Sequence, residues 1–348
     1  MKKIFTFGGG LFLIALLLRF PQEGAAGAKL GLDTCLSVLI PSLYPFLVLT
    51  VFLVKSGATD SFGNSPLGKL IARLFALPQS AAGTILMGMC GGYPAGSRGI
   101  EALYEENELT EKEASHALLF CVNAGPAFLC TAVGAGFLRN PVAGQLLLCA
   151  HLLGGILLGV LLSIHFRGHF SLPKFSQKPL PSPSKALLEA ARSAAASMVS
   201  MCGFVILFAA FLQIAQKLLS LPQLSALSAI CEVTLGCKTM ALSAMPLWCF
   251  ALATGWGGLC VHLQVLQGLK FKVPLWQFFL CRLLHGILSA VLVFPLAHLF
   301  PGASPVFGSN SATVPSLSGP MIGSAVLLLL CIAVLFDTCS FSKRQEKA

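Results

Sequence analysis

The stretch CGGYPAGSRGIEALYEENELTEKEASHALLFCVNAGP, residues 90–126, interrupts a chain that is otherwise oily. Two Gly/Pro breaks, an arginine and six of the thirteen acidic residues fall here, between segments apolar enough to cross a bilayer. The 348 residues are 56% hydrophobic and only 10% charged, with a mean hydropathy of +0.83. Soluble domains carry roughly 25% charged residues. The composition therefore argues for an all-α polytopic membrane protein in contact with the lipid bilayer.

Residues 78–91, PQSAAGTILMGMCG, make a helix of roughly 20 Å at 1.5 Å per residue. That passes the middle of a hydrocarbon core about 30 Å thick. Gly91, Gly92, Pro94 and Gly96 are expected to stop it, and a second arm leads back to the acidic stretch. Broken backbone at that depth is tolerated only when buried in protein or lining a wet cavity. The reading is a re-entrant hairpin whose tip builds a site; the alternative is a surface loop between ordinary spans. Most glutamates of IEALYEENELTEKE read as a solvated helix face, and Thr110 with Glu113 forms a capping box that opens the next span.

Extending outward gives about eight crossings, near residues 4–20, 31–54, 115–138, 143–166, 186–216, 245–268, 274–300 and 320–341, plus broken segments at 78–108 and 220–243. With Lys2 and Lys3 in the cytoplasm, Lys55, Lys69, Arg73, Arg167, Lys174, Lys178, Lys185, Lys270, Lys272 and the basic tail fall on the same side. The outer side keeps Arg19, Lys29, Arg139 and Lys217, so both termini are expected inside. Ala26-Gly27-Ala28 resembles a cleavage site but lies too far beyond the first apolar stretch, and the first span is read as uncleaved. The organisation is an anchor span (1–29), a first repeat (30–172), a Pro/Ser-rich cytoplasmic linker (173–185), a second repeat (186–301), and a C-terminal span and tail (302–348).

The two halves resemble one another. QLLLCAHLLGGILLGVLL (145–162) aligns with QFFLCRLLHGILSAVLVF (277–294) at an offset of 132, which also pairs Gly125 with Gly257. Upstream, Pro94-Ala95-Gly96-Ser97-Arg98 lies over Thr234-Leu235-Gly236-Cys237-Lys238. The leading span runs inward in one half and outward in the other, so the fold is expected to be two inverted-topology repeats with two re-entrant hairpins. That plan places a small-molecule site at the repeat interface near the midplane.

The candidate substrate-binding residues cluster at the breaks: Gly92, Pro94, Gly96, Ser97 and Arg98 in the first hairpin, and Asn123 and Gly125 in the following span. Their counterparts are Glu232, Thr234, Gly236 and Lys238, then Gly257 and His262. Freed amides bind anionic groups and freed carbonyls bind cations; the alternative at Asn123–Pro126 is a packing kink. Arg98 and Lys238 are read as anion-steering, although snorkelling, or neutralisation by Glu101 and Glu232, explains them equally. His262 and His285 read first as packing residues. The net charge of +10 follows positive-inside loops and carries no nucleic-acid motif. No CxxC pair occurs among thirteen cysteines, and His165 and His169 fall in a basic loop, so no metal or other cofactor is expected. Nucleotide-binding, nucleophile-elbow and metalloprotease patterns are absent, so no enzyme is expected. The coupling ion is left open, and a homo-oligomer is compatible with the pattern.

GYPAGSRGIEALYEENELTEKEA, FCVNAGPAF, EVTLGCK, GGLCVHLQVL and FFLCRLLHGIL together resemble the YlbJ-type sporulation integral membrane proteins, across most of residues 30–300. That family carries the nucleoside-recognition (Gate) domain and is similar in plan to concentrative nucleoside transporters. This chain has Val122-Asn123 and Leu235-Gly236 where the family pattern has a further asparagine. The resemblance implies transport of dipicolinic acid across the outer forespore membrane during spore formation. Transport of nucleosides or another small metabolite, or a non-transporting scaffold, are the alternatives.

Overall fold

A computed structural model describes residues 2–166, 182–219, 224–267 and 269–299, in which all regular structure is helical. The expected loop 302–319, the span at 320–341, His169 and most of the linker at 173–185 lie outside the described residues. The first half runs α1 (Lys2–Arg19), α2 (Pro21–Lys55), two short helices α3 (Ala58–Gly63) and α4 (Pro66–Phe75), then the pair α5 (Ala81–Gly91) and α6 (Tyr93–Glu105). It continues with α7 (Glu111–Cys121), the π-helix α8 (Ala127–Phe137) and α9 (Pro141–Phe166). After the linker come α10 (Pro183–Leu219), the pair α11 (Leu224–Cys231) and α12 (Val233–Leu242), then α13 (Leu247–Trp256), α14 (Gly258–Leu266) and α15 (Leu275–Leu299).

Five stretches are long and apolar enough to cross a membrane: Pro21–Lys55, Pro141–Phe166, Pro183–Lys217, Leu247–Leu266 and Leu275–Leu299. The first, expected to begin near residue 31, starts ten residues earlier, because Pro21 opens the helix and a π turn at Cys35–Leu39 carries it on without a break. Leucine and phenylalanine side chains stay exposed along α9 and α15, as a lipid-facing surface requires.

Lipid offers no hydrophobic drive for helices to associate, so small residues that allow close approach hold them together. Gly24, Gly27 and Gly31 form a buried stripe on α2 that lies against Val205–Gln213 of α10. Gly255 of α13 faces the Gly286 backbone of α15, and Gly134 of α8 meets Gly144 of α9. Ion pairs fix the direction of the first crossing. Glu23 and Lys217 meet at 3.6 Å at one end of the α2–α10 pair, and Lys55 and Glu189 at 3.5 Å at the other. The two helices are therefore antiparallel.

Gly92 alone breaks α5 from α6, at φ +87°, a conformation that favours glycine. The expectation that Gly91, Pro94 and Gly96 also stop the helix is corrected. Pro94 sits in the first turn of α6, where its missing N–H costs nothing, and Gly96 continues the helix against Gly88 of α5. The expected capping box is present: Thr110 Oγ1 accepts from Glu113 N (3.3 Å), and Glu113 accepts from Thr110 N (2.8 Å). Three glutamates of the acidic stretch, Glu105, Glu106 and Glu111, are exposed, whereas Glu101 and Glu113 are buried. Glu105 pairs with Lys270 and raises that lysine's pKa, tying the end of α6 to the loop before α15.

A side chain at Gly27 meets Ala209 O, Gln213 Cβ and Ala210 Cα, backbone that cannot yield. Gly27→Leu is expected to destabilise the protein by about 1–3 kcal/mol, the usual range for overpacking. Gly9→Leu, in open space on α1, should shift stability by less than about 0.5 kcal/mol. Thermal unfolding in detergent measures both.

Candidate binding site

Four helices begin around one cavity. Gly92, Tyr93 and Pro94 bring the N-terminus of α6 to it, and Gly125, Ala127 and Phe128 bring that of α8. Glu232, Val233 and Thr234 bring α12, and Cys260 and Val261 bring the first turn of α14. The rest of the wall comes from Leu39, Leu43, Phe46 and Leu47 of α2, Cys90 and Gly91 at the end of α5, Met198 and Met201 of α10, and Gln264 of α14, whose amide is a further polar group in it. The partial positive charge of each N-terminus is directed at the same small volume. That volume is ≈ 40 Å³, room for about three waters at 10–15 Å³ each. A larger ligand enters only if the surrounding helices move.

Close backbone approach makes the cavity. A Cβ on Gly125 would stand 2.8 Å from Gly92 N and 3.0 Å from Cys90 O, so the two breaks press together at their glycines. Glu232 is buried between α11 and α12 and caps the latter with both oxygens, accepting from Thr234 N (3.0 Å) and Leu235 N (2.7 Å).

The sequence candidates divide. Gly92, Pro94, Gly125, Glu232 and Thr234 line the cavity. Gly96 and Gly236 do not line it; Gly96 packs against the Cys121 carbonyl of α7 and against Gly88, and Gly236 against Ala229. Ser97 is buried, its hydroxyl donating to Pro94 O at 3.1 Å. Arg98 is half exposed, pairs with Glu101 at 2.9 Å, and lies in a separate cleft beside Lys55 and Ser193. Lys238 donates to Thr34 Oγ1 at 3.2 Å and leaves Glu232 unpaired with it, because the carboxylate is already held by the α12 amides.

Asn123, Gly257 and His262 serve the breaks themselves. Asn123 is fully buried, its Nδ2 donating to Phe120 O at 3.0 Å, while its Oδ1 lies beside Gly155 without a partner. Gly257 turns α13 into α14 at φ +86°, and Tyr93 Oη reaches across from α6 to donate to Thr254 O at 2.6 Å. His262 Nε2 bonds Trp256 O at 2.7 Å and packs edge-on to Trp256, Phe278 and Phe279.

Sequence reasoning missed the group that holds the 122–126 break open. Arg282 of α15 is fully buried and donates to Leu119 O (2.6 Å) and to Val122 O. Its Nη1 also donates to His285 Nδ1 at 3.3 Å, and His285 Nε2 donates to His151 O at 2.8 Å. His151 Nε2 accepts from Ala124 N at 2.8 Å. The carbonyls and the amide freed by the break are thus satisfied by α15 and α9. A lone arginine inside an apolar span was the available signal.

These features define a helical integral membrane protein with a cavity at the junction of its broken helices. Among curated proteins, the chain is similar to the sporulation integral membrane protein YlbJ of Bacillus subtilis (strain 168). The two are 28% identical over an alignment of 335 residues, which covers 81% of this chain and 80% of the relative. This supports the family resemblance read from the motifs. No family profile and no solved structure matches the chain.

Arg282→Met leaves two buried carbonyls without donors, at about 1–3 kcal/mol each. It is expected to lower the thermal midpoint in detergent markedly. Arg282→Lys should recover only part of the loss, because a single ammonium lacks the guanidinium fork. Equal midpoints for wild type and Arg282→Met would remove Arg282 from this role.

Proposed function

We propose that this protein transports a small anionic metabolite across the membrane, dipicolinic acid during spore formation being the cargo that the resemblance implies. The observation that carries the reading is the convergence of four helix N-termini on one cavity whose wall is mostly apolar and holds no basic side chain. Such termini bind carboxylates without a basic side chain. A small planar dianion therefore matches the helix starts in charge, once the surrounding helices move to admit it, even though Arg98 and Lys238 stand away from the cavity, Arg98 paired with Glu101 and Lys238 with Thr34.

The transporter plan behind this reading is two inverted-topology repeats with re-entrant hairpins α5–α6 and α11–α12. Three observations support it. Each half has a long helix, a broken pair, a second broken pair and a long helix, in that order. The leading helices α2 and α10 are antiparallel, as their end-to-end ion pairs require. Gly96 and Gly236, equivalent in the repeat alignment, are both points of close approach to the other arm of their hairpin, Gly88 and Ala229 respectively. The similarity to a sporulation integral membrane protein supports a role in spore formation, and the family resemblance implies the outer forespore membrane as the location. Glu232, a carboxylate in the cavity wall, is a feature that suits a neutral nucleoside better, and it keeps nucleoside transport as the second reading.

Vesicles reconstituted with the protein should take up labelled dipicolinate saturably, with competition by unlabelled dipicolinate and none by uridine. Competition by uridine alone would favour the nucleoside; no uptake of either would favour a scaffold. Gly125→Ala, which drives a methyl group into Gly92 N and Cys90 O, should cut uptake at least about tenfold, equivalent to 1.4 kcal/mol.

Cysteines placed at Glu106 and at Lys185, in a Cys-depleted background, should label from the cytoplasmic side only. Labelling of either from outside alone would overturn the inverted plan.

A further inference from the structure

Of the four helix N-termini at the cavity, three are open and one is already occupied. Glu232 holds the amides of Thr234 and Leu235 with its two carboxylate oxygens, while its side chain forms part of the cavity wall. A carboxylate in that position imitates the carboxylate of a ligand. It also repels one, because two like charges in a dry, low-dielectric cavity a few ångströms across interact strongly.

Among the described residues, no cation pairs with Glu232. The titratable groups in electrostatic reach of it are Tyr93 from α6, Cys35 from α2, Cys260 from α14 and Cys237 of α12, none of them a cation. From α8 and α10 the cavity receives Phe128, Met198 and Met201, and α13 carries no charged residue. Lys238, six residues on, is turned away to Thr34. Arg282, the buried cation of the structure, is engaged with the carbonyls of the 122–126 break.

Resting on the transport reading above, we propose that Glu232 is a proton-coupling site, so that the protein is a proton–anion symporter. A proton from the side of entry binds the Glu232 carboxylate and removes its charge. The neutral acid gives up its hold on the α12 amides, and a carboxylate of the cargo takes over the Thr234 and Leu235 N–H groups. On the far side the cargo leaves, the proton leaves with it, and the Glu232 carboxylate recaptures the amides. The empty carrier returns deprotonated and capped. Each turnover moves one proton through Glu232 with each anion, and no other reactant is needed.

The test uses the full chain in vesicles, labelled dipicolinate as probe, and a membrane potential clamped with potassium and an ionophore. A gradient of one pH unit, alkaline inside, should raise dipicolinate accumulation about tenfold over vesicles without a gradient, the free energy of one unit being about 1.36 kcal/mol. A pH-sensitive dye trapped inside wild-type vesicles should report acidification when dipicolinate is added outside. In Glu232→Gln, whatever exchange remains should have lost its response to the gradient, while Glu232→Asp should keep it. Dipicolinate exchange by the wild type without gradient-driven accumulation or dye response overturns the coupling and leaves the transport reading standing. Gradient-driven accumulation that persists in Glu232→Gln removes the role from Glu232. Absence of any exchange at pH 6 and at pH 7 overturns both readings together.

Discussion

A backbone polar group inside a bilayer must find a partner within the protein, and this constraint governs the architecture. The four helix breaks would each leave several carbonyls and amides bare. At three of them side chains supply partners. Arg282 of α15 takes two carbonyls at the end of α7, and His151 of α9 supplies an acceptor to Ala124 N. Tyr93 of α6 covers Thr254 O, His262 covers Trp256 O, and Glu232 covers the start of α12. Remove those partners and continuous helices would be the cheaper arrangement.

The same caps explain why the cavity lies where it does. Carbonyls at the breaks are taken up by buried donors behind the site, as at Val122 and Thr254. The helix starts are left facing one another across the gap, with Glu232 alone among the four inserting a negative charge. Peptide dipoles give the helix starts a partial positive charge, with no basic side chain in the wall and the Glu232 carboxylate set among them.

Close packing at glycine completes the frame. The Gly24–Gly27–Gly31 stripe lets α2 lie against α10, and Gly255 with Gly286 does so for α13 and α15. These contacts bring two halves of the chain together around the cavity. Separately, the break at Gly92 and the break at Gly125 approach until their backbones nearly touch.

The sequence by itself determined that the protein is a helical membrane protein and that its helices are interrupted near 92, 123, 232 and 257. Composition, run length and Gly/Pro placement act locally, and local rules read them. The Thr110–Glu113 capping box was legible for the same reason. Which break residues line the cavity was decided by tertiary structure. Gly92, Gly125, Glu232 and Thr234 face it, whereas Arg98 and Lys238 find partners elsewhere. A lone arginine in an apolar span marked Arg282 as unusual, but what it and His151 bind was not legible, because each is bonded to backbone distant in sequence, 160 residues away for Arg282 and Val122. Side-chain type is local information, but the partner that gives a buried polar group its purpose is set by how helices from opposite halves pack.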